Sequence, residues 1–457
     1  MDLNQLNSVF FVGIGGIGMS ALARYFKHLG LEVQGYDRTE TKLTQQLEKE
    51  GISVHFEDKI QLIASDFSDK ENTLVVFTPA IPKEHSQLNY FITNGFKVMK
   101  RAEVLGLITQ SRKTIAVAGT HGKTTVSTMI SHLLHHSHIG CDAFVGGIAK
   151  NYNSNLILSE KSDYVVVEAD EFDRSFLKLF PFFAVITATD ADHLDIYSSK
   201  EQMLESFKEF SKQIHENGVL FVRKQIYPNF IDTSAKMLFT YSLKTTADFY
   251  AKNIQQNGDT YLFDLKTPIG EFKNFTLGMS GLVNLENAVA ALSVCLTTGA
   301  KVDDLRKALA DFKGINRRFD YRIKSEKLIF IDDYAHHPEE LKAVINSVKD
   351  IYKTRKITGV FQPHLFTRTR DFADDFAKSL DLLDEVILLD IYPARELPIE
   401  GITSEIIFGK IKNTNKTLCK KEELIDVLKQ KKIDILLTLG AGDIDKLLEP
   451  IEIMFSN

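Results

Sequence analysis

Cysteine is scarce: Cys141, Cys295 and Cys419 are the three in 457 residues, far apart and without a C-x-x-C pair. An odd, scattered set supports neither a disulfide framework nor a cysteine-ligated zinc site. A basic surplus is missing as well. Lys and Arg number 55 against 61 Asp and Glu, a formal charge of −6, so nothing pulls the whole chain toward nucleic acid or an anionic membrane. No apolar run approaches the roughly 18 residues a spanning helix needs. Residues 1–5 (MDLNQ) lack the basic-then-apolar pattern of a secretory leader. Low-complexity tracts and short-period repeats are absent too. The expectation is a reduced, cytoplasmic, soluble protein with no nucleic-acid or membrane partner. Its anionic ligands must be met by glycine loops, helix N-termini and single Arg or Lys side chains.

What the chain does have is an ordinary globular composition, 44% hydrophobic and 25% charged. At about 150 residues per domain its length predicts three domains. A pattern of short apolar strand, glycine or polar turn and amphipathic helix recurs, which predicts α/β layers with parallel sheets. It restarts twice, giving blocks 1–110, 111–314 and 315–457. Strands are expected at 9–12 and 74–77 in the first block, and at 114–118, 165–167 and 184–186 in the second. The third block has them at 328–331, 357–361, 386–389 and 435–438, with a helix at 338–349 opened by Pro338.

The sharpest chemical signal is Gly119-Thr120-His121-Gly122-Lys123-Thr124-Thr125, between a strand and a helical pattern. Backbone N–H groups of such a turn and the positive end of the helix cradle phosphates. Lys123 supplies a cation to the β/γ-phosphates, and the Thr124 hydroxyl suits Mg²⁺. Only two residues separate Gly119 from the Gly122-Lys123 pair, where the common pattern has four. Downstream, Glu168-Ala169-Asp170-Glu171 ends a buried strand, and Glu168 beside a phosphate loop is the favoured Mg²⁺ ligand. The alternative is a strand that simply ends in acid at the surface. His193, in Asp192-His193-Leu194-Asp195, is a second candidate ligand or else a hydrogen-bonding loop histidine.

The first block carries Gly13-Ile14-Gly15-Gly16-Ile17-Gly18 after its first strand, and Asp37 after the second. This is the fingerprint of a diphosphate nucleotide, with glycines for close approach and an acid for the ribose. Alone it is a weak motif. In the third block, Arg317-Arg318-Phe319, Asp332-Asp333-Tyr334-Ala335-His336-His337-Pro338 and Gln362-Pro363-His364 with Arg368 and Arg370 offer forks suited to carboxylate or phosphate. The last two segments follow strands, where open α/β sheets bind ligands; solvated loop ends are the plain alternative. The cluster His132, His135, His136 and His138 reads as the cation-tolerant end of a helix rather than as a zinc site.

In this order and over essentially the whole chain, these segments, together with residues 281–287, resemble the Mur ligase family. The resemblance implies three α/β domains: an N-terminal Rossmann-like domain for a UDP-sugar, a central P-loop ATPase with a mostly parallel sheet, and a C-terminal Rossmann-like domain that closes over the site. Residues 332–338 and 362–370 look like the branch that joins L-alanine to the carboxylate of UDP-N-acetylmuramate, by way of an acyl phosphate made with ATP and Mg²⁺. Carried over residue by residue, Gly119 to Thr125 would hold ATP, with Lys123 and Thr124 on phosphate and metal. Glu168 would hold the first Mg²⁺ and His193 the second. Asn287 would meet adenine, Arg318 the phosphates across the interdomain cleft, and Asp333 the ATP ribose. His364 and Arg368 would face the amino acid and the muramyl carboxylate. Gly13, Gly15, Gly16, Gly18 and Asp37 would serve the UDP-sugar, in a monomer or homodimer.

Two departures stand out. Several relatives carry a carbamylated lysine about fifteen residues after the metal histidine, where the alanine-adding branch uses Phe. Here the helix reads Leu204-Glu205-Ser206-Phe207-Lys208, so no carbamate is expected, although Lys208 is close in count. Leu282 and Val283 replace basic residues often found before the adenine-binding Asn. Three rivals remain: a sister ligase that attaches a tripeptide to the same UDP-sugar, a nicotinamide oxidoreductase suggested by residues 13–18 and Asp37 alone, and a non-catalytic ATP-dependent switch.

Overall fold

The computed structural model describes residues 3–110, 112–160, 162–190, 197, 199–243, 245–394 and 396–456. The chain forms two compact units, one of Met1–Tyr250, Lys266–Gly270 and Val289–Ala308, the other of Ala251–Leu265, Glu271–Ala288 and Leu309–Asn457.

The first unit contains two sheets. Strands β1 (Ser8–Val12), β2 (Glu32–Tyr36), β3 (Ser53–His55), β4 (Thr73–Phe77) and β5 (Lys97–Lys100) run parallel in the order β3-β2-β1-β4-β5. β1 is buried at every position because both faces of a parallel sheet are covered. Val9 and Phe11 pack with Leu22 and Phe26 on one face, while Phe10 and Val12 meet Phe67 and Phe91 on the other. The chain leaves β1 for β2 on one side and later reaches β4 on the other. That reversal places a crevice at the end of β1, where residues 13–18 lie.

The second sheet begins with β6 (Lys113–Ala118), β7 (Asp142–Ala149), β8 (Ser154–Ile157) and β9 (Tyr164–Ala169). It continues through β10 (Phe183–Ile186), β11 (Val219–Arg223) and β12 (Met237–Ser242). Within this unit the order is β12-β11-β10-β6-β9-β7-β8, parallel except for the hairpin of β8 on β7. β6 pairs Val117 with Glu168 and Ala118 with both Ala169 and Ile186. The carboxylate of Glu168 therefore starts one residue short of the loop that follows β6.

Most of β13 (Phe249–Asn257), β14 (Thr260–Thr267) and β15 (Gly270–Leu277) falls in the second unit, where the three lie side by side in chain order. A separate sheet contains β16 (Asp320–Lys324), β17 (Ile329–Asp333), β18 (Ile357–Phe361), β19 (Glu385–Leu388), β20 (Lys416–Leu418) and β21 (Ile435–Leu439). Its order is β16-β17-β21-β18-β19-β20, and β16 alone is antiparallel to its neighbour. Among the described residues no helix is long and apolar enough to cross a membrane. All three cysteines are free and buried.

Candidate functional site

The loop after β6 wraps the end of β10. Thr120 N donates to Ala188 O at 3.1 Å, and Thr187 Oγ1 donates to Ala118 O at 3.2 Å and to His121 O. Gly119 has φ +132°, and a Cβ there would stand 2.1 Å from Thr187 Oγ1, so no side chain fits. Gly122 is the left-handed N-cap (φ 83°) of the helix Lys123–His135, which turns the first N–H groups of Lys123, Thr124 and Thr125 outward for an anion.

Lys123 is not a free-swinging cation. Its Nζ donates to Gly119 O at 2.7 Å and to both oxygens of the fully buried Glu171, at 2.9 and 2.8 Å. Burial alone would lower the lysine's titration, but Glu171, helped by Asp170 and Glu168, holds it well above its ordinary value. Glu168 Oε1 accepts from Gly146 N at 2.8 Å and Ser127 Oγ at 3.4 Å. Gly146 lets the carboxylate sit this close, because a Cβ there would lie 2.3 Å from Glu168 Oε2 and push it aside. His193, the other expected metal ligand, lies outside the described residues. Lys208 sits in an exposed i,i+3 pair with Glu205, while Phe207 is buried against Phe176.

The glycine loop of the first sheet opens on a space that Glu168 and Asp170 also line. A cavity of about 300 Å³ is lined by Gly16, Gly18, Thr78, Arg101, Glu168 and Asp170, among others. Gly13 takes φ +92°. Asp37 Oδ2 accepts from Gly15 N at 2.8 Å, and a Cβ on Gly15 would crowd it; Asp37 thus braces the loop. Gly18 leaves room for Arg101, whose Nη1 would stand 2.8 Å from a Cβ there and whose Nη2 lies 3.9 Å from Asp170.

In the second unit the arginine pair divides its work. Arg317, at φ 63°, donates to Asp332 (3.2 Å) and Gly440 O (2.6 Å), which ties the turn to the sheet. Arg318 lies over the Tyr334 ring at 5.0 Å, with Nη1 4.0 Å from Glu340. Asp333, the expected ribose partner, is buried and accepts from Phe319 N (2.7 Å) and Ala335 N (2.8 Å). Burial pushes its titration up to about 6 against the pull of Arg318. The side chain braces the turn that presents Arg318.

After β18, Leu365 at φ 71° starts the helix Phe366–Leu380 and turns Arg368 back toward His364, Nη1 to Nδ1 3.5 Å. The His364 ring stacks on Tyr392 at 5.9 Å and meets His336 edge-on at 6.0 Å. Asn287, on the helix Leu282–Thr297, is 3.4 Å from Asn284, whose buried amide donates to Ser280 O at 2.6 Å.

Sequence reasoning missed Glu171 as the partner of Lys123, Arg101 in the cavity, Gly146 behind Glu168, and Tyr392 beside His364. Each acts through a contact between distant segments. Only Glu171 left a signal, as the last acid of the strand-end cluster. His132, from the histidine cluster, is buried between Tyr152 Oη and Ala308 O, each 3.0 Å away.

Three family models match the chain. They are the Mur ligase family, catalytic domain over residues 8–113, the Mur ligase middle domain over 117–295, and the Mur ligase, glutamate ligase domain over 317–442. The chain is 52% identical over 452 residues to the UDP-N-acetylmuramate–L-alanine ligase of Phocaeicola vulgatus, covering 99% of this chain and 98% of that relative. It is 53% identical over 454 residues to the enzyme of the same name from Parabacteroides distasonis, with the same coverage. The fold is similar to the crystal structure of the UDP-N-acetylmuramate–alanine ligase of Thermotoga maritima, with a TM-score of 0.82, 24% identity and coverage of 98% and 99%. A murein peptide ligase from Psychrobacter arcticus shares it with a TM-score of 0.73, 22% identity and coverage of 98% and 99%.

Proposed function

The chain belongs to the Mur ligase family, and we propose that it joins L-alanine to the lactyl carboxylate of UDP-N-acetylmuramate, splitting ATP to ADP and phosphate, in peptidoglycan precursor synthesis. The observation that carries this reading is the cavity between the first glycine loop and Glu168, whose strand pairs with the one that feeds the phosphate loop. A diphosphate-type glycine loop and the carboxylates beside an ATP-type loop line one space, as transfer between two phosphorylated substrates requires. Three domains, 1–110, 111–314 and 315–457, divide the labour among UDP-sugar, ATP and amino acid. Both nucleotides are cytoplasmic metabolites, which places the reaction in the cytoplasm.

The carboxylate of the sugar attacks the γ-phosphorus of ATP, forming an acyl phosphate and releasing ADP. The alanine amine then attacks the acyl carbon, and phosphate leaves as a proton is lost from nitrogen. The first step presses anion against anion, so electrostatic stabilisation and positioning dominate. Lys123, steered by Glu171, neutralises phosphate, and the N–H groups at residues 122–125 orient it. Arg318 adds a second cation on phosphate, Asn287 meets adenine, and Gly13, Gly15, Gly16 and Gly18, braced by Asp37, admit the sugar diphosphate. Arg368, with His364 beside it, grips the alanine carboxylate as a fork. The hydroxyl of Thr124 and the carboxylate of Glu168 would hold Mg²⁺, with the imidazole of His193 as the family resemblance implies, and the glycine backed against Glu168 fits a carboxylate held in place for it. Bound there, Mg²⁺ supplies charge to the phosphate oxygens.

The test is ADP release with UDP-N-acetylmuramate and ATP. It should require L-alanine, and an L-alanine-headed tripeptide should not replace it. Faster turnover with the tripeptide would give the recycling chemistry instead. ATP binding without acceptor-dependent turnover would leave only a switch.

A further inference from the structure

The helix Ile17–His28 meets the β7–β8 hairpin through two kinds of contact. Tyr25 packs on Phe144, centroids 5.3 Å apart at 61°, and Leu22 and Phe26 share a core with Phe144 and Leu156. Such apolar contact supplies adhesion with little directional preference. The polar contact is directional. Asn155, fully buried on β8, accepts from Arg24 Nη1 and donates to Ile17 O and to Ser20 Oγ, the last at 2.9 Å. Arg24, also buried, holds Glu50 bidentately at 2.7 and 3.0 Å.

This network pins Ile17, between Gly16 and Gly18, to a hairpin whose other strand carries Gly146, and Gly146 N holds Glu168. A buried polar network with its members partnered specifies one arrangement, where an apolar patch tolerates slippage. We propose that Arg24 and Asn155 are positioning residues for the ligation, fixing the first glycine loop against Glu168 so that the sugar carboxylate meets the γ-phosphate. The proposal rests on the function given above. Neither residue lines the cavity's carboxylate edge; both act through Ile17 and the hairpin. A displacement of about 1 Å remote from the chemistry can cost on the order of 10²-fold in rate.

Two mild variants test it. Asn155→Asp keeps a partner for Arg24 but turns an acceptor toward Ile17 O. Arg24→Lys keeps the charge but loses the fork that reaches Glu50 and Asn155 together. Arg24→Lys leaves no charge unpaired and should fold; Asn155→Asp buries a carboxylate that shares Arg24 with Glu50, so the lysine variant carries the test if the aspartate variant does not fold. Three quantities are compared with wild type: kcat, the Kd of UDP-N-acetylmuramate and of a non-hydrolysable ATP analogue, and a spin-label distance distribution. The labels go on Lys49→Cys and Glu160→Cys, both exposed, while the native thiols are buried.

The expected result is a broadened distribution and a kcat lowered roughly 10- to 100-fold, with both Kd values within about twofold. An unchanged distribution with unchanged kcat overturns the proposal, even if thermal stability falls. So does a loss of kcat matched by an equal loss of affinity. The distance measurement needs no substrate, so it judges the clamp even if the chain proved to have a different activity.

Discussion

Asp333 is a carboxyl group whose two oxygens face backbone amides rather than solvent. Its titration rises from 3.8 to about 6, chiefly through burial. An acid raised in the folded state stabilises most below its unfolded value and loses that contribution as pH climbs through the folded one. Against Asp333→Asn, wild-type stability should therefore fall between about pH 4 and 6.5 and level off above, by up to about 3 kcal/mol. Denaturant midpoints of the two proteins across that range check this; a gap that widened upward with pH would contradict it. At Glu168, the Gln variant keeps the acceptor for Gly146 N but loses the charge. Its Mg²⁺ requirement should rise roughly tenfold or more, and superimposable Mg²⁺ curves would remove Glu168 from the metal. Arg368→Lys should raise the L-alanine KM strongly with less effect on the ATP KM, because an ammonium cannot grip a carboxylate bidentately. Steady-state kinetics with each substrate varied in turn decide it, and a rise confined to the ATP KM would move Arg368 to the nucleotide.

At the scale of elements, the phosphate loop was legible because its chemistry is local: strand, glycines, lysine and helix follow one another within about a dozen residues. The same holds for residues 13–18 and for the strands of the third block. Glu171 could be read as a strand-end acid but not as the clamp on Lys123, since 48 residues of chain separate them. Asp333 and Asp37 are read from sequence as ligand groups because acids after strands often are; what the sequence does not show is that their oxygens also brace the adjoining turns. β13 carried little signal, as it alternates burial only at its start and then runs exposed; β14 did carry one, with Tyr261, Phe263 and Leu265 buried at every second position. The loop geometry itself makes a prediction. Gly119→Ala must fit a Cβ at φ +132° against Thr187, so ATP-dependent turnover should fall on the order of 10²-fold or more. Calorimetric titration should show UDP-sugar binding nearly intact, and equal loss at both substrates would argue against separate loops.

At the scale of the molecule, each parallel sheet of the first unit carries a glycine-rich loop at the end of its own central strand. Sequence predicts both loops but not that the first opens on a cavity lined by Glu168 and Asp170, because the helix Ile17–His28 meets β7 and β8 only in the folded chain. In the proposed reaction a sugar carboxylate is phosphorylated there and then captured by L-alanine. The direct measurement uses UDP-N-acetylmuramate labelled with ¹⁸O in its carboxylate, with ATP, Mg²⁺ and an amino-acid mixture, and mass spectrometry of every product. The expected products are UDP-N-acetylmuramoyl-L-alanine, unlabelled ADP, and phosphate carrying one ¹⁸O from the carboxylate. Phosphate without the label, or an adduct with anything other than L-alanine as the main product, would contradict it.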